Sequence, residues 1–267
     1  GRQQESGERE RKGRRDIAHT GSDRSVYSVK RFFNTPASCG WLAALALAAG
    51  LASPCGAQAT SGAPLLDALS ITVQRDSVTV ARGSIRFRQV RTGTDVELVA
   101  SGIVVQPGLR VTSELHTDTA YVLRRYLAES RDSAGTVIDR IQVTSADGRI
   151  TFERSTPLRR VMREYAVARN LMVLDSAAVV PFVALAGAGT RAATIALLDV
   201  RSGRVHAASL MSGTMIELSV AEVTVSGTPI SVAGLATPLR WWRDAKGRLL
   251  RVAWGDRNRV LRDDPPT

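Results

Sequence analysis

The stretch SIRFRQVRTGTDVELVASGIVVQPGLRVTSELH, Ser84 to His116, reads as successive strands joined by tight turns. Between Ser84 and Val90, Ile85, Phe87 and Gln89 fall on one side and Arg86, Arg88 and Val90 on the other. That is the period of two of a strand with one buried face. Thr92-Gly93-Thr94 and Gln106-Pro107-Gly108 supply turn residues, and connections this short join antiparallel neighbours.

Working outward, the same grammar recurs. Ser70 to Val80 is rich in Thr and Val and is broken at Gln74-Arg75-Asp76. Downstream come Tyr121 to Arg131, Val137 to Thr144, Arg149 to Ser155 and Leu158 to Ala168, separated by Ser133-Ala134-Gly135 and Ala146-Asp147-Gly148. Strands resume at Thr194 to Val200, Arg204 to Met211, Met215 to Val225 and Ile230 to Ala233, and a final hairpin runs from Leu239 to Trp254. The fold class expected is mainly β: a curved, half-barrel-like antiparallel meander.

The period changes once. Ala177 to Ala186 is apolar on every side, with Asp175-Ser176 available as a cap, Pro181 near the first turn and Gly187 as a stop. A helix with no polar face must be buried over most of its surface, and the space for it lies inside the curve of the sheet. The run is too short to cross a membrane and Arg191 follows it.

In the final hairpin, simple pairing about a turn at Asp244 to Gly247 puts Trp241 opposite Leu250 and Leu239 opposite Val252, with Trp254 on the same face. Phe182, Trp241, Leu250, Val252 and Trp254 are therefore the candidate ligand-lining residues. Aromatic side chains such as these and Tyr165 serve a core equally well. The same register sets Arg240 against Arg251 and Arg243 against Arg248, which is unfavourable unless carboxylates intervene or a bulge shifts the pairing.

A long meander, an apolar helix at about two thirds of its length and the closing Trp242-Arg243-Asp244-Ala245-Lys246-Gly247-Arg248-Leu249-Leu250-Arg251-Val252 resemble a group of exported bacterial β-sheet proteins of uncharacterised function. That group is similar in layout to the lipoprotein carriers of the bacterial envelope, whose curved sheet and helices enclose an apolar cavity. The resemblance covers roughly Leu109 to Trp254. It implies a fold and carries no functional residues over to this chain.

For chemistry, Glu114, His116 and Asp118 share one face of an extended strand, and His206 can be added to them. Together they can bind a metal through imidazole and carboxylate or act as an acid–base cluster, which makes a metal-assisted or acid–base hydrolase the second functional hypothesis. A solvated strand face ending in a polar turn accounts for the same residues, and the spacing matches no ligand signature. There is no nucleophile elbow, no His-Glu-x-x-His and no phosphate-cradling glycine loop. No cofactor and no metal is assigned.

The beginning of the sequence decides location. Lys30-Arg31, the apolar run Trp41 to Ala52 and Ala57-Gln58-Ala59 form a cleavable export signal over residues 29–59. Pro54 departs from the box that precedes an acylated Cys55, so cleavage is favoured over a lipid anchor. Residues 1–28 read as a disordered extension or a mis-assigned start, with Val29 as the initiating residue. Residues 60–262 then form one β-rich domain and 263–267 a disordered tail.

Both cysteines, Cys39 and Cys55, precede Thr60, so residues 60–267 hold no thiol for a disulfide or a zinc site. Residues 1–59 hold nine Lys/Arg against five Asp/Glu, leaving +7 of the formal +11 on residues 60–267. The arginines are scattered among carboxylates, which argues against nucleic acid as a partner. With the signal removed, no integral membrane span is expected.

The reading is of an exported, periplasmic or extracellular, non-enzymatic protein. It binds an apolar or amphiphilic envelope ligand, a lipid for instance, or an envelope protein partner, on its concave sheet face. N-terminal sequencing of the chain recovered from an exporting bacterial host is expected to give Thr60. An uncleaved leader overturns the signal assignment, and any of residues 1–28 on the unprocessed precursor overturns Val29 as the start.

Overall fold

Alternation in the sequence becomes alternation in burial. In the computed structural model, which describes residues 64–166, 170–189 and 194–266, Leu69 and Ile71 turn into a common core with Ile85, Phe87, Ala100, Val111, Leu115, Tyr126 and Ile141. The expected export signal, residues 29–59, and the expected extension, residues 1–28, lie outside these residues. The described residues belong to one compact unit, Ala57–Thr267.

The first arm of the sheet is a plain meander: β1 (Leu65–Arg75), β2 (Val78–Thr92), β3 (Asp95–Gln106), β4 (Leu109–Thr117), β5 (Leu123–Asp132), β6 (Val137–Ala146), β7 (Arg149–Thr156) and β8 (Arg159–Ala166). Each is antiparallel to the next. Two-residue turns with positive φ at Asp76-Ser77 and Asp147-Gly148 fix the register.

The second arm comprises β9 (Leu171–Leu174), helix α1 (Val180–Ala188), β10 (Thr194–Asp199), β11 (Arg204–Ser212), β12 (Ile216–Val220), β13 (Val223–Ala233), β14 (Leu239–Arg243), β15 (Leu249–Trp254) and β16 (Asn258–Arg262). Among the described residues the strands form one 16-stranded sheet in the order β8-β7-β6-β5-β4-β3-β2-β1-β16-β15-β14-β13-β11-β10-β9, with β12 attached to β13. It is mainly antiparallel and does not close into a barrel, as the curved meander requires.

Departures from the sequence reading are local and have causes. β9 is a short strand unmarked by turn residues. It pairs parallel to β10, the one parallel pair among the described strands, because α1 crosses over between them. β16 follows the expected last hairpin and pairs with β1. Asp263 and Asp264, expected in a disordered tail, are tied to β1: Asp263 N donates to Ser70 O at 2.9 Å and Thr72 Oγ1 donates to Asp263 Oδ2 at 2.8 Å.

The helix starts at Val180, later than expected, and Val179 caps it without a side-chain hydrogen bond. Pro181, which lacks an N–H, takes the first turn where none is needed, and residues 175–179 are left as a lead-in. Every residue of α1 except Gly187 is buried. Burying each of Val180, Phe182, Val183 and Leu185 contributes about 1.5–3 kcal/mol. Strand and helix approach closely at Gly102, where an added Cβ would stand 2.8 Å from Val180 Cγ2.

The closing hairpin carries a bulge that puts Trp241 opposite Val252 and Leu239 opposite Trp254, not Leu250 and Val252 as simple pairing gives. The extra residue is Leu250, which leaves the core face and packs with Leu218, Val220, Val225 and Trp242 under the β12–β13 hairpin. Arg240 now faces Ala253, and Arg248 donates to Asp244 Oδ2 at 2.6 Å.

Where β1 meets β16, Arg262 donates to both oxygens of Asp67 at 2.8 and 2.9 Å, with both side chains buried. Removing one member of such a pair strands the other charge. Asp67→Ala is expected to lower stability by about 3–5 kcal/mol, read as a fall in the midpoint of urea unfolding with the slope unchanged. A loss under about 1 kcal/mol would mean solvent reaches the pair.

Candidate functional site

The lead-in to α1 brings a carboxylate into the core. Asp175, fully buried, follows β9, and its Oδ1 accepts from Ala177 N at 2.9 Å, turning the chain toward the helix. Its remaining acceptor positions take Tyr126 Oη at 2.7 Å and the Arg201 fork at 2.7 and 3.0 Å. Arg201 also donates to Asp139 Oδ2 at 2.7 Å, and Arg154 holds the same carboxyl at 2.9 and 3.1 Å. Arg154 further donates to Arg201 O, and Tyr165 Oη donates to Gly203 O at 2.6 Å.

β5, β6, β7 and β8 are thus bound to the β10–β11 turn through side chains. Burial, and then the Asp175 charge, push the Tyr126 phenol well above its ordinary pKa, so it stays a proton donor. Burial lowers the Arg201 pKa, but Asp175 and Asp139 outweigh it and raise it overall. The network balances two carboxylates with two guanidinium groups and leaves no net charge inside.

Beside this network is a pocket of about 300 Å³. Its apolar wall is Leu174, Phe182, Leu235, Leu239 and Trp254, and Arg201, Asp199 and His206 form its polar end. Phe182 and Trp254 stack with centroids 6.2 Å apart and planes at 14°. A neighbouring space of about 180 Å³ also touches Ser176 and Trp254, so these two residues stand between the two volumes. α1 packs against β3, β4, β9, β14 and β15 on the concave face.

Among the expected lining residues, Phe182 and Trp254 are in the pocket. Trp241 and Val252 are fully buried in the core, and Leu250 is on the opposite face because of the bulge. The expected polar cluster separates. His116 faces outward from β4, with Nδ1 3.0 Å from Glu97 and Nε2 2.7 Å from Glu114. Asp118 instead caps a turn, accepting from Ala120 N at 2.9 Å and Val122 N at 2.8 Å.

His206 shares the inward face of β11 with buried Ala208 and Leu210 and lines the pocket. The two histidines therefore stand on opposite faces of the sheet and cannot act on one substrate. Among the described residues no group of His, Cys, Asp and Glu is arranged to hold a metal ion.

Comparison with protein-family models, curated proteins and solved structures finds no match. Among the described residues no helix is long and apolar enough to cross a membrane.

Partial burial lowers the His116 pKa, but hydrogen bonds and charge from Glu97 and Glu114 outweigh it and raise it above the ordinary 6.5. A neutral imidazole has one N–H and can satisfy only one of the two carboxylates as a donor. A raised folded pKa gives stability that is fully present below the unfolded pKa and is lost as pH rises through the folded one. The melting temperature of the wild type is therefore expected to exceed that of His116→Gln at about pH 5.5, with the gap closing by about pH 9. A gap that is constant or widens with pH would overturn the role of Glu97 and Glu114 in holding a protonated His116.

Proposed function

We propose that this is an exported, non-enzymatic protein of the bacterial envelope that binds a small apolar or amphiphilic ligand. The single observation that carries this reading is the pocket beside α1, where the stacked Phe182 and Trp254 form an apolar wall and Arg201, Asp199 and His206 sit at one end. Binding sites for small molecules have this composition, mostly apolar with a few orienting polar groups.

Size sharpens the ligand. At about 300 Å³ the pocket is at the lower limit of such sites. A volume of that size suits one short chain or ring, not a lipid with several chains. The layout of envelope lipoprotein carriers is in this sense reduced. The polar end does not present a bare cation: Arg201 is bidentate with Asp175 and bound to Asp139. His206 makes no hydrogen bond among the described residues and is a free polar group for a ligand's head.

Ala236 lines the mouth from an exposed loop, so Ala236→Trp obstructs the pocket without touching the core. The purified protein is expected to bind N-phenyl-1-naphthylamine with a rise in probe fluorescence, and Ala236→Trp to weaken this roughly tenfold or more at an unchanged melting temperature. No probe binding and no co-purified lipid in the wild type would sink the ligand reading. Undiminished binding by the variant would move the site elsewhere.

A further inference from the structure

Several arginines inside or at the edge of the core each hold a carboxylate: Arg154 with Asp139, Arg201 with Asp175, Arg248 with Asp244 and Arg262 with Asp67. The outer face of β14–β16 gathers three arginines around one indole, Arg251 half-buried and Arg240 and Arg259 exposed. Arg240 and Trp242 alternate with buried Leu239 and Trp241, and Arg251 and Arg259 stand on the same outer face of the two following strands. None of the ion pairs among the described residues includes Arg240, Arg251 or Arg259.

Aromatic contact takes the place of a carboxylate. The guanidinium carbons of Arg240 and Arg251 lie 5.9 and 5.7 Å from the centre of the Trp242 ring, close enough for cation–π attraction. Partial burial, and then the neighbouring Arg259, push the Arg251 pKa below its ordinary value. The indole Nε1 of Trp242 is buried without a hydrogen-bond partner. Beneath, Leu218, Val220 and Leu250 hold the ring in place.

Like charges set side by side cost stability unless something negative joins them. The bulge at Leu250 relieves the direct Arg240–Arg251 pairing without supplying a carboxylate. We propose that this face binds a phosphate-bearing group through Arg240, Arg251 and Arg259, with Trp242 as the rigid platform between them. Guanidinium forks match the oxygen geometry of phosphate in pairs. Phosphate is presented by a lipid headgroup and by free phosphate compounds alike. A single indole offers one stacking plane, which disfavours a nucleic-acid strand, where successive bases need successive aromatic platforms. The face lies on the opposite side of the sheet from the pocket beside α1, and the two bindings are separable.

The full chain is to be titrated with pyrophosphate by calorimetry and sedimented with phosphatidylcholine vesicles with and without phosphatidylglycerol. Arg240→Gln/Arg251→Gln is expected to weaken binding about tenfold or more. Arg110→Gln/Arg124→Gln, which removes equal charge from exposed positions elsewhere, is expected to leave it near the wild type. Sedimentation dependent on phosphatidylglycerol assigns a lipid headgroup, and pyrophosphate binding alone assigns a free phosphate compound.

Arg259→Gln is expected to keep or raise the melting temperature, since it removes repulsion on Arg251. Absence of both bindings, equal losses in the two double variants, preference for a single-stranded oligonucleotide, or a marked drop in melting temperature for Arg259→Gln would each overturn the assignment.

Discussion

A buried carboxylate governs the architecture. Asp175 has no access to water, and a charge so placed persists only with close partners. It takes them from both arms of the sheet, Tyr126 from β5 and Arg201 from the turn after β10, and from the backbone of its own lead-in. The arms are thereby held face to face without a ladder of strand hydrogen bonds joining β8 to β9. Between arms held so, an apolar lining needs a filler, and α1 is the element with no polar side to keep in water. The pocket is what remains where the helix begins and the network leaves off.

The sheet separates two kinds of chemistry. Its inner face is apolar and nearly filled, with charges in balanced pairs. Its outer face bears polar clusters of opposite character: His116 between two carboxylates on β3 and β4, and arginines without carboxylate partners about Trp242 on β14 to β16. Such separated sites act independently, since they share no partner. A substitution on one face therefore reports on that face alone.

The meander was legible because its turns announce themselves. Pro107-Gly108 and Asp147-Gly148 fix registers outright, and the first of these places Glu97 diagonal to His116, so that contact could have been found by counting. The apolar helix was legible from composition, but its start was not, because Asp175 serves Arg201 rather than the helix N-terminus. That pairing joins positions with no local signal, a capping residue and a turn residue each explicable without the other. β9 escaped for a related reason, a short strand whose partner β10 lies beyond the helix, while β16 was missed although Gly255-Asp256 marks the tight turn that joins it to β15. Bulged pairing defeated the wall predicted for the last hairpin, since one extra residue sends Leu250 to the other face.

The pairing of Ile71 with Arg262 joins the earliest and latest of the sixteen described strands. A ribosome releases the partner of β1 only after everything between has been made, so one flank of β1 stays bare through nearly all of synthesis. The loop to be closed is almost the length of the domain, which favours slow folding over rapid local assembly. An unpaired edge of that duration invites pairing with other chains. Timing, as much as packing, is then a demand on this molecule: it depends on being shielded, or kept extended, until its last strand arrives.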